Sequence, residues 1–225
     1  MHVLFRESHG LEETATPQDL GQTPADLVVL SFSDSDLGAF AAGWHRAEGK
    51  LPGLRLANLS ALKHPLSVDT YIEQTLAGAR GVLIRLIGGV PYWSYGLQQV
   101  QALASRTGLA IAVLTADGRP DPRLDEVSTL PVSTLRRLQH LCDQGGAVAA
   151  QAALQQFALA CGLYAAPVKG VRATPEVGAW VPGGVTCPAA LSFGTRPRVL
   201  LTFYRAYLTA ADTEPLERIA QAFDA

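Results

Sequence analysis

The chain predicts an α/β fold: a flavodoxin- or Rossmann-like parallel sheet, then a helical segment, then the first β-α unit of a second α/β domain. Three observations carry this. Apolar runs of strand length recur, built from Val, Leu and Ile, as expected of strands buried on both faces. Between them lie segments with apolar residues at i, i+3, i+4 and i+7, the period of a helix with one buried face. The β-α-β-α alternation then requires right-handed crossovers and a parallel sheet.

Met1 to Arg6 is a short apolar strand candidate, and Asp26 to Phe32 (DLVVLSF) is the second. After it, Leu37, Phe40, Ala41 and Trp44 mark one helix face. Ser33 or Ser35 can cap that helix, and Asp34 and Asp36 sit where its dipole favours carboxylates. The same two carboxylates could instead serve a metal or ligand. Gly49 to Gly53 reads as a turn, and Leu54 to Leu59 as the third strand, with Asn58 near its end. His64-Pro65 precedes a helix opened by Ser67, with Val68, Tyr71, Ile72, Thr75, Leu76 and Ala79 on one face. Strand four is Gly81 to Ile87, its helix runs from about Tyr95 to Ser105, and strand five is Leu109 to Thr115.

Ala116 to Pro122 (ADGRPDP) is a turn-rich exit. Two helices follow, marked by Leu135 and Leu138, then by Leu154, Phe157, Ala158 and Cys161, with Gly145-Gly146 between them. Leu163 to Pro197 is rich in Gly and Pro and reads as a long loop with room for a short hairpin. Arg198 to Tyr204 (RVLLTFY) reads as a strand, and a helix with Pro215 in its first turn presents Leu216, Ile219, Ala220 and Phe223. The expected domains are therefore 1–125, a parallel-sheet α/β domain; 126–197, a helical segment and connecting loop; and 198–225, the start of a second α/β domain. This last unit stops without a C-cap or partner sheet, which predicts the N-terminal piece of a longer protein.

Composition sets limits. The 225 residues are 48% hydrophobic and 17% charged, so the chain builds a substantial core. A net charge of −2 gives no electrostatic case for nucleic acid or an anionic membrane. No apolar run reaches 18 residues and no secretory leader is visible, so no membrane span is expected. Cys142, Cys161 and Cys187 are odd in number and widely spaced, which fits neither a disulfide framework nor a zinc knuckle and points to a reducing cytoplasm. The 15 Arg and 3 Lys suit carboxylate capture, although on composition alone the Ala-rich, GC-biased character of the chain is the better account of them.

Chemistry concentrates in Gly81 to Gly96, GVLIRLIGGVPYWSYG. Gly88 and Gly89 end the apolar strand at the sheet edge where open α/β folds bind ligands. Tyr92, Trp93 and Tyr95 follow. Arg85 interrupts the run and requires a carboxylate, from the protein or from a ligand. Gly88-Gly89 is not G-x-G-x-x-G and no Walker lysine is present, which weakens a flavodoxin-like nucleotide module.

Four ordered blocks resemble the N-terminal region of the large subunit of aerobic cobaltochelatase, the CobN type, a homologue of the magnesium chelatase large subunit. They are Leu20 to Leu37, Leu51 to Gly96, Asp117 to Pro131 and Arg198 to Phe223. The resemblance implies a corrin-binding subunit that inserts Co2+, as substrate, into hydrogenobyrinic acid a,c-diamide. It implies ATP-Mg on a partner AAA+ ATPase subunit working with an adaptor subunit, not on this chain. It also implies that this region is inactive alone, since the metal-handling residues lie elsewhere. A corrin is a broad apolar ring rimmed by carboxylates, so it needs aromatic faces and Arg or backbone N–H donors. On that basis the substrate-binding candidates are Arg55, Asn58, His64, Arg85, Gly88, Gly89, Tyr92, Trp93 and Tyr95, with no metal ligands expected. His64 could deliver cobalt or accept a pyrrole proton, or simply position its loop before Pro65. Two further readings stand beside this one: a non-catalytic head domain for subunit docking, and a magnesium chelatase-type porphyrin-binding domain.

Overall fold

Strands β1 (Leu27–Ser31), β2 (Leu54–Asn58), β3 (Gly81–Leu86) and β4 (Ala110–Thr115) pair in parallel in the order β2-β1-β3-β4. The computed structural model of the protein describes residues 16–168, 170–171, 173–181, 184–192 and 199–224. The candidate strand Met1 to Arg6 lies outside them. Strand order reverses between β1 and β3, as in flavodoxin-like sheets. Leu30 pairs with Ala57 on one side and Ile84 on the other, and Ile84 with Val113.

Both faces of the sheet are covered, which is why its strands are apolar at successive positions instead of alternating. Val28, Leu30, Val82, Ile84, Ile111 and Val113 share one core with Val68, Tyr71 and Ile72 of α2 (Pro65–Gln74) and Leu97, Val100 and Leu103 of α3 (Ser94–Thr107). Their neighbours Leu27, Val29, Leu83, Ala112 and Leu114 belong to a second core on the other face. That core is completed by Ala39 and Phe40 of α1 (Asp34–Arg46), Leu135 and Leu138 of α5 (Val132–Gln144), and Leu154 and Phe157 of α6 (Gly146–Ala160). Each fully buried Val, Leu, Ile or Phe among them contributes roughly 1.5–3 kcal/mol.

The expected boundary at 125 falls within this packing. The two helices beyond it are the covering layer of the sheet's second face, because α1 alone is too narrow to bury that face. α1 and α6 cross closely at Gly43, where an added Cβ would lie 2.5 Å from the Gln151 nitrogen.

Side chains meet both sheet edges. On β4, Ile111 and Val113 donate their N–H groups to Thr129 Oγ1 (2.7 Å) and Ser128 Oγ (2.9 Å), just after the short helix α4 (Arg123–Glu126). On β2, Gln22 Nε2 donates to the Leu56 carbonyl at 2.9 Å. Polar side chains thus stand where a further strand would pair.

Beyond α6, the Gly/Pro-rich region contains a short antiparallel hairpin, β5 (Ala179–Val181) with β6 (Gly184–Thr186). The strand expected over 198–204 is not formed: Arg198 lies outside the described residues, and Val199 to Tyr204 belong to no sheet. The segment joins neither edge of the main sheet. Ring contacts instead hold Phe203 edge-on to Trp180 (6.3 Å between centroids) and to Tyr207 (6.4 Å). Two helices follow, α7 (Ala206–Thr209) and α8 (Glu214–Asp224). Among the described residues, no helix is long and apolar enough to cross a membrane.

Candidate functional site

The carboxyl ends of β1 and β3 flank the point where the strand order reverses, the usual ligand crevice of such sheets. Here the chain fills it with its own side chains. Arg85, next to last in β3, is 3% exposed. Its Nε donates to Asp36 Oδ2 at 3.1 Å, and its guanidinium reaches Asp143 Oδ1 at 3.4 Å. Asp36 also accepts from Ser31 Oγ at 3.0 Å. Gln139 Nε2 donates to Asp143 Oδ1 at 2.7 Å and to the Thr115 carbonyl, while its Oε1 accepts from the Thr115 N–H. One polar network thus ties the ends of β1, β3 and β4 to α1 and α5. Burial works against the Arg85 charge, but neighbouring Cys142 and the carboxylates of Asp36 and Asp143 outweigh it and raise its pKa. Arg85 is therefore always charged and internally neutralised.

The remaining sequence candidates divide into two groups. Arg55 lies in the first half of β2, away from the carboxyl edge, and holds the preceding segment through Thr23: Nε to the carbonyl at 2.8 Å and the guanidinium to Oγ1 at 2.6 Å. Asn58 caps the 3-10 turn Leu59–Leu62 by accepting from the Ser60 N–H at 2.9 Å, and its Nδ2 donates to Asp34 Oδ1 at 2.7 Å. His64 caps α2, with Nδ1 accepting from the Leu66 N–H at 3.1 Å. That bond places the proton of the neutral ring on Nε2, and it starts the helix at Pro65, two residues before Ser67. Trp93 is buried, and its Nε1 donates to the Leu62 carbonyl at 2.8 Å. The side chains of these four have structural partners.

Gly88, Gly89, Tyr92 and Tyr95 form the second group, at the surface except for the buried Gly89. Gly88 and Gly89 have φ of +82° and +79°. This left-handed pair turns the chain sharply at the end of β3 and lays Tyr92 over Gly88, so closely that any Cβ there would strike the ring. Tyr92 remains 67% exposed. Tyr95 Oη donates to Asp69 at 2.9 Å, and this hydrogen bond raises the phenol pKa by favouring its neutral form. Beside them opens a shallow cleft of about 190 Å³, lined by Val68 and Trp93 at the base and by Lys63, Tyr92, Ser94 and Tyr95 at the rim.

Three participants were not read from the sequence. Lys63, one of only three lysines, supplies the cation of the cleft. Asp117 accepts from the Gly88 N–H at 3.4 Å, and Asp121 approaches Gly89 while paired with Arg123 at 2.8 Å. The D-G-R-P-D run was the available signal, but it reads locally as a turn. Among the described residues, no group of three or more His, Cys, Asp or Glu is arranged to hold a metal ion. The arrangement suits holding a flat, partly apolar, acidic molecule by one edge: an aromatic plate, an apolar floor and one ammonium group.

No family model matches the chain. It is 35% identical to the aerobic cobaltochelatase subunit CobN of a Sinorhizobium species over 237 aligned positions, covering 100% of this chain. It is also 35% identical to the CobN subunit of Pseudomonas aeruginosa over 226 positions, covering 98% of this chain. The chain spans 18% of the length of each of these relatives. Among solved structures, it resembles the catalytic subunit of cobaltochelatase from Mycobacterium tuberculosis, with a TM-score of 0.60 and 25% identity over 89% of this chain and 15% of that one.

Proposed function

Because this chain is homologous along its whole length to a portion of CobN-type cobaltochelatase subunits, we propose that it forms part of the corrin-binding subunit of an ATP-dependent cobaltochelatase. The reaction is insertion of Co2+ into hydrogenobyrinic acid a,c-diamide, in the cytoplasm. ATP-Mg is hydrolysed on a partner AAA+ subunit acting with an adaptor subunit. The whole-length similarity to two CobN subunits carries this reading. The cleft beside Tyr92 supports it, since Lys63 offers a cation to a rim carboxylate and the tyrosine an apolar face to the ring. In this reading the chain holds and orients substrate, and cobalt is delivered from elsewhere in the complex.

A second reading has its own support. Arg55, Asn58, His64 and Arg85 all bond within the chain. A head domain that only docks other subunits would look the same at these positions.

Titration of the 225-residue chain with hydrogenobyrinic acid a,c-diamide, followed by tryptophan fluorescence, separates the two. Saturable quenching at micromolar concentrations, weakened about tenfold or more by Tyr92→Ala, is expected for substrate contact. No quenching, while an intact CobN-type subunit binds the same corrin, assigns the chain to docking. Quenching by a porphyrin but not by the corrin would favour a magnesium chelatase-type domain.

A further inference from the structure

The last described segment, 199–224, is built like a β-α unit without a sheet. Val199, Leu200 and Leu201 are 63%, 88% and 47% exposed. Their sequence has strand composition, yet among the described residues no backbone hydrogen bond involves Val199 to Phe203. α8 buries Leu216, while Ile219 and Phe223, three and seven positions on, are 39% and 64% exposed. These form one apolar helix stripe. The last residue of this would-be strand and the stretch after it are anchored: Phe203 packs on Trp180, and Arg205 donates to the Thr174 carbonyl at 3.2 and 2.9 Å.

In the main sheet, Thr129 and Ser128 occupy the β4 edge and Gln22 bonds one carbonyl of β2, and the segment pairs with neither strand. A second copy is a poor fit. Two such segments pairing across a twofold axis give a two-stranded ribbon, which is marginal in water and leaves both α8 stripes bare. The CobN relatives are several times longer than the matched 18% and have ample polypeptide to provide a sheet.

We propose that residues 199–223 are an interface for the part of a cobaltochelatase large subunit outside this matched region. Val199 to Phe203 adds a strand to an open sheet edge there, and the Ile219–Phe223 stripe covers the adjoining face. The inference rests on the family reading above.

Hydrogen exchange tests it on this 225-residue chain and on the full Pseudomonas aeruginosa subunit at the positions aligned with Leu200 to Phe203. Near-random-coil exchange in this chain and protection about 100-fold or greater in the full subunit are expected. Protection already present in this chain, or exchange equally fast in the full subunit, overturns the proposal. Sedimentation adds a control. A micromolar dimer of this chain that Leu200→Asp dissolves makes a second copy the occupant and also overturns it. Protection in the full subunit is independent of corrin binding by this chain, so failure of the substrate reading leaves a distinct result.

Discussion

Arg85 Nε donates to Asp36 Oδ2 over 3.1 Å, joining the end of β3 to the first turn of α1 across the point where the strand order reverses. The crevice that doubly wound sheets offer to ligands is therefore occupied by an ion pair belonging to the fold.

Arg85→Ala is expected to destabilise the chain by about 3 kcal/mol, because it leaves the Asp36 carboxylate in a partly buried site and opens a hole under it. Asp143→Ala should cost about 1 kcal/mol or less, since that carboxylate is 45% exposed and Asp36 still pairs Arg85. Urea unfolding of both variants measures the difference. Equal losses would contradict the asymmetric network.

Gly43→Ala should cost about 2 kcal/mol or more, since its Cβ meets α6 backbone, which cannot move without separating two helices of the second core. Calorimetry should show a lowered Tm with native secondary structure retained.

Trp93→Phe removes the bond to the Leu62 carbonyl and leaves that acceptor under the 3-10 turn without its donor. A loss of about 1–2 kcal/mol is expected. The floor of the cleft loosens with it, so in the titration above this variant should weaken binding less than Tyr92→Ala does.

The thiols differ in reactivity and in pH response. Cys187 is exposed and should react first with a disulfide reagent, while Cys161 should react only on unfolding. Burial pushes Cys161 up to about 12 and Cys142 up to about 11, from an ordinary value of 9.0. A raised thiol pKa means that the folded state keeps protons the unfolded chain releases. Stability is therefore full below about pH 9 and falls as pH rises towards 11–12. Cys161→Ala should flatten part of that fall in denaturant midpoints measured from pH 8 to 11. An unchanged slope would count against it.

Much of the fold was legible because its signals are local. Continuous Val, Leu and Ile runs announce buried parallel strands, and the spacing of Leu37, Phe40 and Trp44 announces α1. Ser33 does cap that helix, accepting from the Asp36 N–H at 3.3 Å. The helices over 132–160 were visible as helices but not as the layer covering the sheet, because amphipathic spacing shows that a face is buried and not what buries it. Of the residues lining the cleft, Tyr92, Trp93 and Tyr95 stood out in the sequence because aromatics follow a glycine pair at a strand end, whereas Lys63 did not.

Residue chemistry alone therefore determined the strand and helix periods, the parallel layer and the requirement that Arg85 meet a carboxylate. Tertiary structure decided which carboxylates those are. Asp36 and Asp143 lie 49 and 58 residues away in sequence, and only packing α1 and α5 on one face brings them within reach. The same holds for Val199 to Tyr204, which has strand composition but no strand. A ladder needs an edge within reach as well as a willing segment: Thr129 and Ser128 occupy the β4 edge, Gln22 bonds a β2 carbonyl, and Phe203 is held on Trp180 instead.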